Sequence, residues 1–239
     1  MLKTPDQSFN IATYNVHSCI GTDRRFSPDR IAEVIESLDA DVIGLQEVGW
    51  HLRGRRDFDQ FEFLRDRTGY EVHAGVTKNH SKAHFGNAIL TKWPVRDVRQ
   101  LDLSVPFRAR RGAIDVDVEI QGNPVRVINA HLGLDPRERQ IQFSRICEAV
   151  EQHNDGPMLL MGDFNEWRMK IPPLRQVERF FPNALAPKTF HTRKPLLRFD
   201  RIYASDDLHL GDHAVVRTDL TKRASDHLPV RCTVSHLPQ

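Results

Sequence analysis

The most restrictive feature of this chain is a local pattern that occurs twice. Phe9 to Val16 reads as a β-strand that ends at Asn15. Ser27 then offers an N-cap and Pro28 a first helical position. Ile31, Val34, Ile35 and Leu38 follow at helical spacing and give one apolar face. Val42, Ile43, Gly44 and Leu45 form a second apolar strand, closed by Gln46 and Glu47. The second copy runs from Val125 to Met161. Its first strand leads to His131, and Asp135, Pro136 and Glu138 start its helix in capping-box order. Phe143, Ile146, Cys147 and Val150 make the buried face of that helix. The apolar run Met158, Leu159, Leu160, Met161 then enters Gly162-Asp163-Phe164-Asn165. Two strand–helix–strand units of this kind predict an α/β fold.

Between them, Phe85 to Thr91, Val95 to Leu101 and Ala113 to Ile120 are short β-rich runs, with Val125 to Ala130 pairing next. Pro94, and Gly122 with Asn123, mark turns. Residues 172–195 read as a loop-rich stretch, and Phe199 to Tyr203 and Leu228 to Val234 as late strands. The expected architecture is two stacked mixed β-sheets flanked by helices, one domain over residues 1–239, with both halves presenting strand ends to a shared cleft.

Those strand ends carry the chemistry. Asn15, Glu47, His131, Asp163, Asn165, Asp200, Asp226 and His227 all sit where apolar runs stop. Each also has an ordinary role. Asp163 and Asn165 fit an Asx turn, and Asp226 and His227 fit a turn; Asn15 fits a strand cap. Glu47 reads as a surface group, His131 as a satisfied core histidine and Asp200 as the ion-pair partner of Arg201. Jointly they form a set of oxygen, amide and imidazole groups at the ends of four strands. Side chains two apart on an extended segment share a face, so Asp163 and Asn165 would look at one point. Carboxylates with neutral amides suit Mg²⁺ or Mn²⁺ and a phosphate oxygen. There is no His-x-x-x-His pair on a helix and no cysteine set to suit zinc, and no Gly-x-Ser-x-Gly elbow or Walker loop occurs.

The 239 residues carry a formal charge of +2, too small for a general nucleic-acid coat. The basic residues cluster instead, at Arg24 and Arg25, at Arg53, Arg55 and Arg56, at Arg108, Arg110 and Arg111, and at Arg193, Lys194 and Arg198. These are solvated loops, or loops gathered round an anion. The three cysteines are far apart and odd in number, against a disulfide framework. No apolar leader opens the chain and no stretch is long enough to span a bilayer, so a cytoplasmic location is expected.

The chain resembles the endonuclease/exonuclease/phosphatase superfamily of metal-dependent phosphohydrolases, from Phe9 to about Val234. The resemblance rests on seven motifs in family order. Thr13-Tyr14-Asn15-Val16 and Leu45-Gln46-Glu47-Val48 come first. Gly86-Asn87-Ala88-Ile89-Leu90 and Asn129-Ala130-His131-Leu132 follow, then Gly162-Asp163-Phe164-Asn165 and Phe199-Asp200-Arg201-Ile202. Ser225-Asp226-His227-Leu228-Pro229 completes the set. The family implies a four-layer α/β sandwich. It makes Glu47 the principal metal ligand, supported by Asn15 and with Asp226 close to the metal. It makes Asp163 the group that orients or deprotonates the attacking water, and Asn165 a holder of the scissile phosphate. His131 and His227 would stabilise the phosphoryl charge, with Asp200 keeping the His227 imidazole protonated. Asn87 belongs to a matched motif and is a substrate-binding candidate, as are Arg111, a charged clamp, and Arg198, just before Asp200. His84 is a further candidate for the cleft. The expected partner is a phosphate ester: nucleic acid, a phospholipid head group or a small ester, handled by a monomer. Trp50 and Trp167, just after metal-site motifs, read as packing or rim aromatics, or as lipid-facing groups. A non-catalytic binding module on the same fold is the alternative from another class.

Overall fold

The computed structural model describes residues 8–49, 58–80 and 83–237. Its strands are β1 (Ser8–Asn15), β2 (Val42–Gly49), β3 (Glu71–His80), β4 (Ala83–Thr91), β5 (Val95–Asp102), β6 (Gly112–Ile120), β7 (Asn123–His131), β8 (Met158–Asp163), β9 (Asn183–Leu185), β10 (Asp200–Ala204), β11 (Leu208–Val215) and β12 (Val230–His236). Its helices are α1 (Pro28–Leu38), α2 (Gln60–Thr68), α3 (Pro136–Gln152), α4 (Pro172–Val177) and α5 (Asp219–Ala224). The strands form two six-stranded mixed sheets, in the orders β11-β12-β1-β2-β4-β3 and β5-β6-β7-β8-β10-β9. In each sheet one pair is parallel, β1 with β2 and β7 with β8. These are the two strand–helix–strand units read from the sequence, crossed over by α1 and α3.

Strand alternation explains the layers. In β2, Val42 faces the other sheet, whereas Ile43 and Leu45 face α1 and α2. Ile11, Ile89, Val116, Val127, Leu159 and Val230 fill the space between the sheets. Ile31, Val34, Ile35 and Leu38 of α1 cover the outside of the first sheet, and Phe143, Ile146 and Val150 of α3 cover the second. The result is a four-layer α/β sandwich.

One polar contact ties the sheets together beneath the strand ends. The Gln46 amide donates to Asn129 Oδ1 at 2.7 Å, and Asn129 Nδ2 donates to the carbonyls of Leu45 and Ala88 at 2.8 Å. Gly44 leaves room for it, because a Cβ there would stand 2.9 Å from Asn129 Cγ. Asn129 is engaged at both its oxygen and its nitrogen, whereas Gln46 is held through its nitrogen alone; a buried amide held at both ends fixes register more firmly than apolar contacts do.

The structure departs from the sequence reading in places. The stretch 172–195 contains α4 and β9. The strands β3 and β11 and the helices α2 and α5 had no counterpart in the sequence reading. Ser27 stands at the N-cap of α1 without a side-chain cap bond, so Pro28 marks that start. Asp135 does cap α3, accepting from Arg137 N and Glu138 N, but Glu138 pairs with Gln142 instead of closing a box. Among the described residues no helix is long and apolar enough to cross a membrane. Trp50, Arg53, Arg55 and Arg56 lie outside the described residues.

Candidate active site at the strand ends

Register places the polar groups side by side. On the second sheet, His131 of β7 is opposite Asp163 of β8, and Asp163 is opposite Asp200 of β10. On the first sheet, Asn15 ends β1 beside Gln46 of β2. Glu47 reaches the same place by a different device. The β2–β4 register shifts between Leu45 and Val48, and Glu47 adopts a φ of 57°. A β-bulge of this kind re-aims a side chain that strand alternation would send elsewhere.

Asp163 and Asn165 meet through a turn, not through shared strand parity. The strand stops at Asp163, Asn165 has a φ of 50°, and Asp163 Oδ1 accepts the Asn165 backbone N–H at 2.9 Å. The Asx turn and the site therefore coexist, because a carboxylate has two oxygens. Oδ2 remains for the cleft. It accepts from Asn15 Nδ2 at 2.9 Å and lies 3.6 Å from His131 Nε2 and from His227 Nε2.

The cleft has a volume of about 430 Å³, typical of a small-molecule site. Glu47, His131, Asp163, Asn165, Asp226, His227 and Arg111 all line it. Asn15 adjoins it through Asp163 and through Glu47 Oε1, 3.2 Å away. Asp200 is fully buried behind His227, whose Nδ1 donates to Asp200 Oδ2 at 2.8 Å. Burial pushes the His227 imidazole down, but the charges of Asp200 and Asp163 and the bond to Asp200 outweigh it and raise its pKa to about 10. His227 is thus held as an imidazolium at neutral pH. Arg111 Nη1 is 3.1 Å from His131 Nδ1. A guanidinium only donates, so Nδ1 accepts in that contact, while Nε2 lies 3.8 Å from Glu47 Oε1 and 3.6 Å from Asp163 Oδ2. The Asn165 amide is 3.2 Å from that Nε2 and donates to Leu132 O at 3.0 Å.

Two sequence candidates stand apart from the cleft lining. Asn87 is buried and donates to Gly112 O at 2.7 Å, tying the two sheets. Arg198 is half-buried and donates to Ala186 O. His84 is also absent from the lining. Trp167 is 55% exposed, on the loop after Asn165. Other residues of the site had escaped notice. His17 lines the cleft, 3.8 Å from Asp226 Oδ1, and its signal was its place two residues after Asn15. Thr189 donates its hydroxyl to Asp200 Oδ2, and the Phe190 ring packs 4.8 Å from the His227 ring. No local pattern announces these two.

The donor set fits a hard cation. Glu47, Asp163 and Asp226 bring three carboxylates to one cleft, and Glu47 Oε2 takes no hydrogen bond from the described residues. Asp163, Asp200 and His227 have ligand atoms within 4.8 Å of one another. Asp200 Oδ2 is already engaged by His227 and Thr189, so that trio reads as an acid–imidazole pair beside a metal site rather than as the cage itself.

Residues 12–227 match the Endonuclease/Exonuclease/phosphatase family. An uncharacterised protein of Escherichia coli strain K12, YbhP, is 31% identical over 96% of this chain and 99% of its own length. Exodeoxyribonuclease III of Haemophilus influenzae is 28% identical over 59% of this chain and 53% of its own. Among solved structures, a mannosyl-6-phosphatase of Bacteroides thetaiotaomicron superposes with a TM-score of 0.77, at 18% identity, covering 95% of this chain and 99% of that one.

Proposed function

The chain belongs to the Endonuclease/Exonuclease/phosphatase family, and from that premise we propose that it is a divalent-metal-dependent hydrolase of phosphate esters, acting in the manner of a phosphodiesterase or endonuclease. The observation that carries this reading is the convergence of Glu47, Asp163, Asn165, His131 and His227 on one cleft. Glu47, Asn15 and Asp226 are the residues that would hold Mg²⁺ or Mn²⁺. The ion supplies charge neutralisation at a phosphoryl oxygen.

The residues divide the remaining work. Asp163 Oδ2 accepts the proton of the attacking water, held in that role by the Asn15 amide. Asn165 orients the phosphate. His131, held by Arg111, and His227, with a charged Nε2–H fixed by Asp200, face the oxygens on which charge develops. Attack is in line, with no covalent intermediate. Arg111 assists through His131 and from the cleft wall.

A second reading, a hydrolase of phospholipid head groups, is favoured by Phe107, Leu134 and Leu196. All three are exposed, and they sit on loops that carry cleft residues or pack on them. The test is turnover of bis(p-nitrophenyl) phosphate with Mg²⁺ or Mn²⁺, abolished by EDTA and restored by excess metal. Absence of metal-dependent turnover on that ester, DNA, sphingomyelin and inositol phosphates would overturn the enzyme reading and leave a binding module.

A further inference from the structure

A second groove of about 390 Å³ adjoins the cleft. It opens beside the edge strands β3 and β5 and borders the cleft at Arg110 and Arg111, which line both spaces. Its polar inventory is specific. Asp102 is exposed, and its carboxyl is held below the usual range by hydrogen bonds from Ser104, so it is an ionised acceptor. Gln100 Nε2 donates to Ala74 O at 3.2 Å, which leaves Oε1 to accept. Arg110 is exposed, its charge acts on Asp102, and its guanidinium still has N–H donors to offer to a ligand. Ser104 Oγ accepts from Arg111 N at 3.3 Å, fixing the loop between the two spaces.

A ligand here must donate to Asp102 and Gln100 and accept from Arg110. A second phosphate offers only acceptors and meets the Asp102 charge. An acyl chain offers neither. A nucleobase wants an aromatic platform, and none of the described residues of the lining is aromatic. Hydroxyl groups both donate and accept. We propose that this groove is a subsite for a neutral polyhydroxylated group, a sugar or polyol, esterified to the phosphate whose cleavage the cleft performs. The inference rests on the phosphoesterase reading above and extends it to the substrate class.

The experiment compares two diesters with the same leaving group, ribose 5-(p-nitrophenyl phosphate) and methyl p-nitrophenyl phosphate, at saturating Mg²⁺. The wild-type enzyme should prefer the ribose ester in kcat/KM by at least about tenfold, the worth of one hydrogen bond to a charged group. In Gln100→Ala and in Asp102→Asn, both exposed positions on an edge strand, that preference should fall towards one while Tm is retained. Equal rates for both esters in the wild type, or a preference unaltered in both variants, would overturn the subsite and leave the phosphoesterase reading standing. No turnover of either ester would remove the phosphoesterase reading, and the subsite with it.

Discussion

Gly162 tests the geometry on which the site depends. It precedes Asp163 on β8, has a φ of 142°, and is opposite Ala130 of β7 in register. A Cβ there would stand 1.9 Å from the Ala130 carbonyl oxygen and 2.9 Å from its carbon. That is more than about 1 Å closer than packed atoms sit. The obstacle is backbone, so it cannot rotate away, and Gly162→Ala must force β7 and β8 apart. His131 and Asp163 are the next register pair and would separate with them. Backbone strain of about 1–3 kcal/mol and overpacking of about 1–3 kcal/mol add to a loss of about 2–6 kcal/mol. At about 2–4 °C per kcal/mol for a chain of this size, Tm should fall by at least about 4 °C. Displacing reacting groups by about 1 Å costs about 10²-fold in rate, so kcat/KM on bis(p-nitrophenyl) phosphate should fall by about that factor. Gly122→Ala is the control. Gly122 also has a positive φ, 82°, but a Cβ there meets nothing within 4 Å. It should cost only the backbone strain, about 1–2 kcal/mol, and leave turnover alone. A Gly162→Ala protein with wild-type Tm and turnover would refute the close approach and the argument built on it.

Three further outcomes are expected. Glu47→Gln should weaken Mg²⁺ binding in calorimetry by at least about tenfold, as loss of a charged ligand from a site of few carboxylates requires; unchanged affinity would move the metal elsewhere. Asp200→Asn removes the first of the three charges that raise His227, those of Asp200, Asp163 and Asp226. The imidazolium, lost in the wild type as pH rises through about 10, should then be lost at lower pH, and the alkaline limb of kcat/KM should move down with it; a fixed limb would exclude His227 as its origin. Glu166, buried beside Asp163's loop, supplies an acid-stability test. Burial pushes its carboxyl up, but hydrogen bonds from Arg168 and Arg139 outweigh that and lower its pKa to about 2. A lowered folded-state pKa gives stability that is present above the ordinary value of about 4.5 and is lost as pH falls through about 2. The denaturant midpoint of the wild type should therefore exceed that of Glu166→Gln at pH 6, and the gap should close by pH 2; a gap independent of pH would show that the ion pairs contribute nothing.

What the sequence made legible, and what it hid, divides along a physical line. The parallel pairs were readable because each is specified within about forty residues by apolar period and helix-start chemistry. The edge strand β11 was not, since much of it faces solvent and pairing with β12 supplies its order. The site shows the same split more sharply. Asn15, His131 and Asp163 stand at the ends of strands that the pattern marks, so their place follows from local rules. Glu47 does not, because its aim depends on a bulge against β4, a partner about forty residues away in the chain. Asp163 and Asn165 were predicted to meet for the wrong reason: alternation was assumed, and a turn built by Asp163 itself does the work. Thr189 and Phe190 were silent because their contacts with Asp200 and His227 are made across the sheet end by an irregular segment. Asn87 shows the converse. It sits in a recognisable motif, yet its amide is engaged by Gly112 O. A motif fixes which residue types are present, whereas the second sheet decides which of them face the cleft. The inter-sheet latch of Gln46 and Asn129 lies one residue before Glu47 and two before His131, so the stacking of the sheets and the aim of the site are set by the same buried hydrogen bonds.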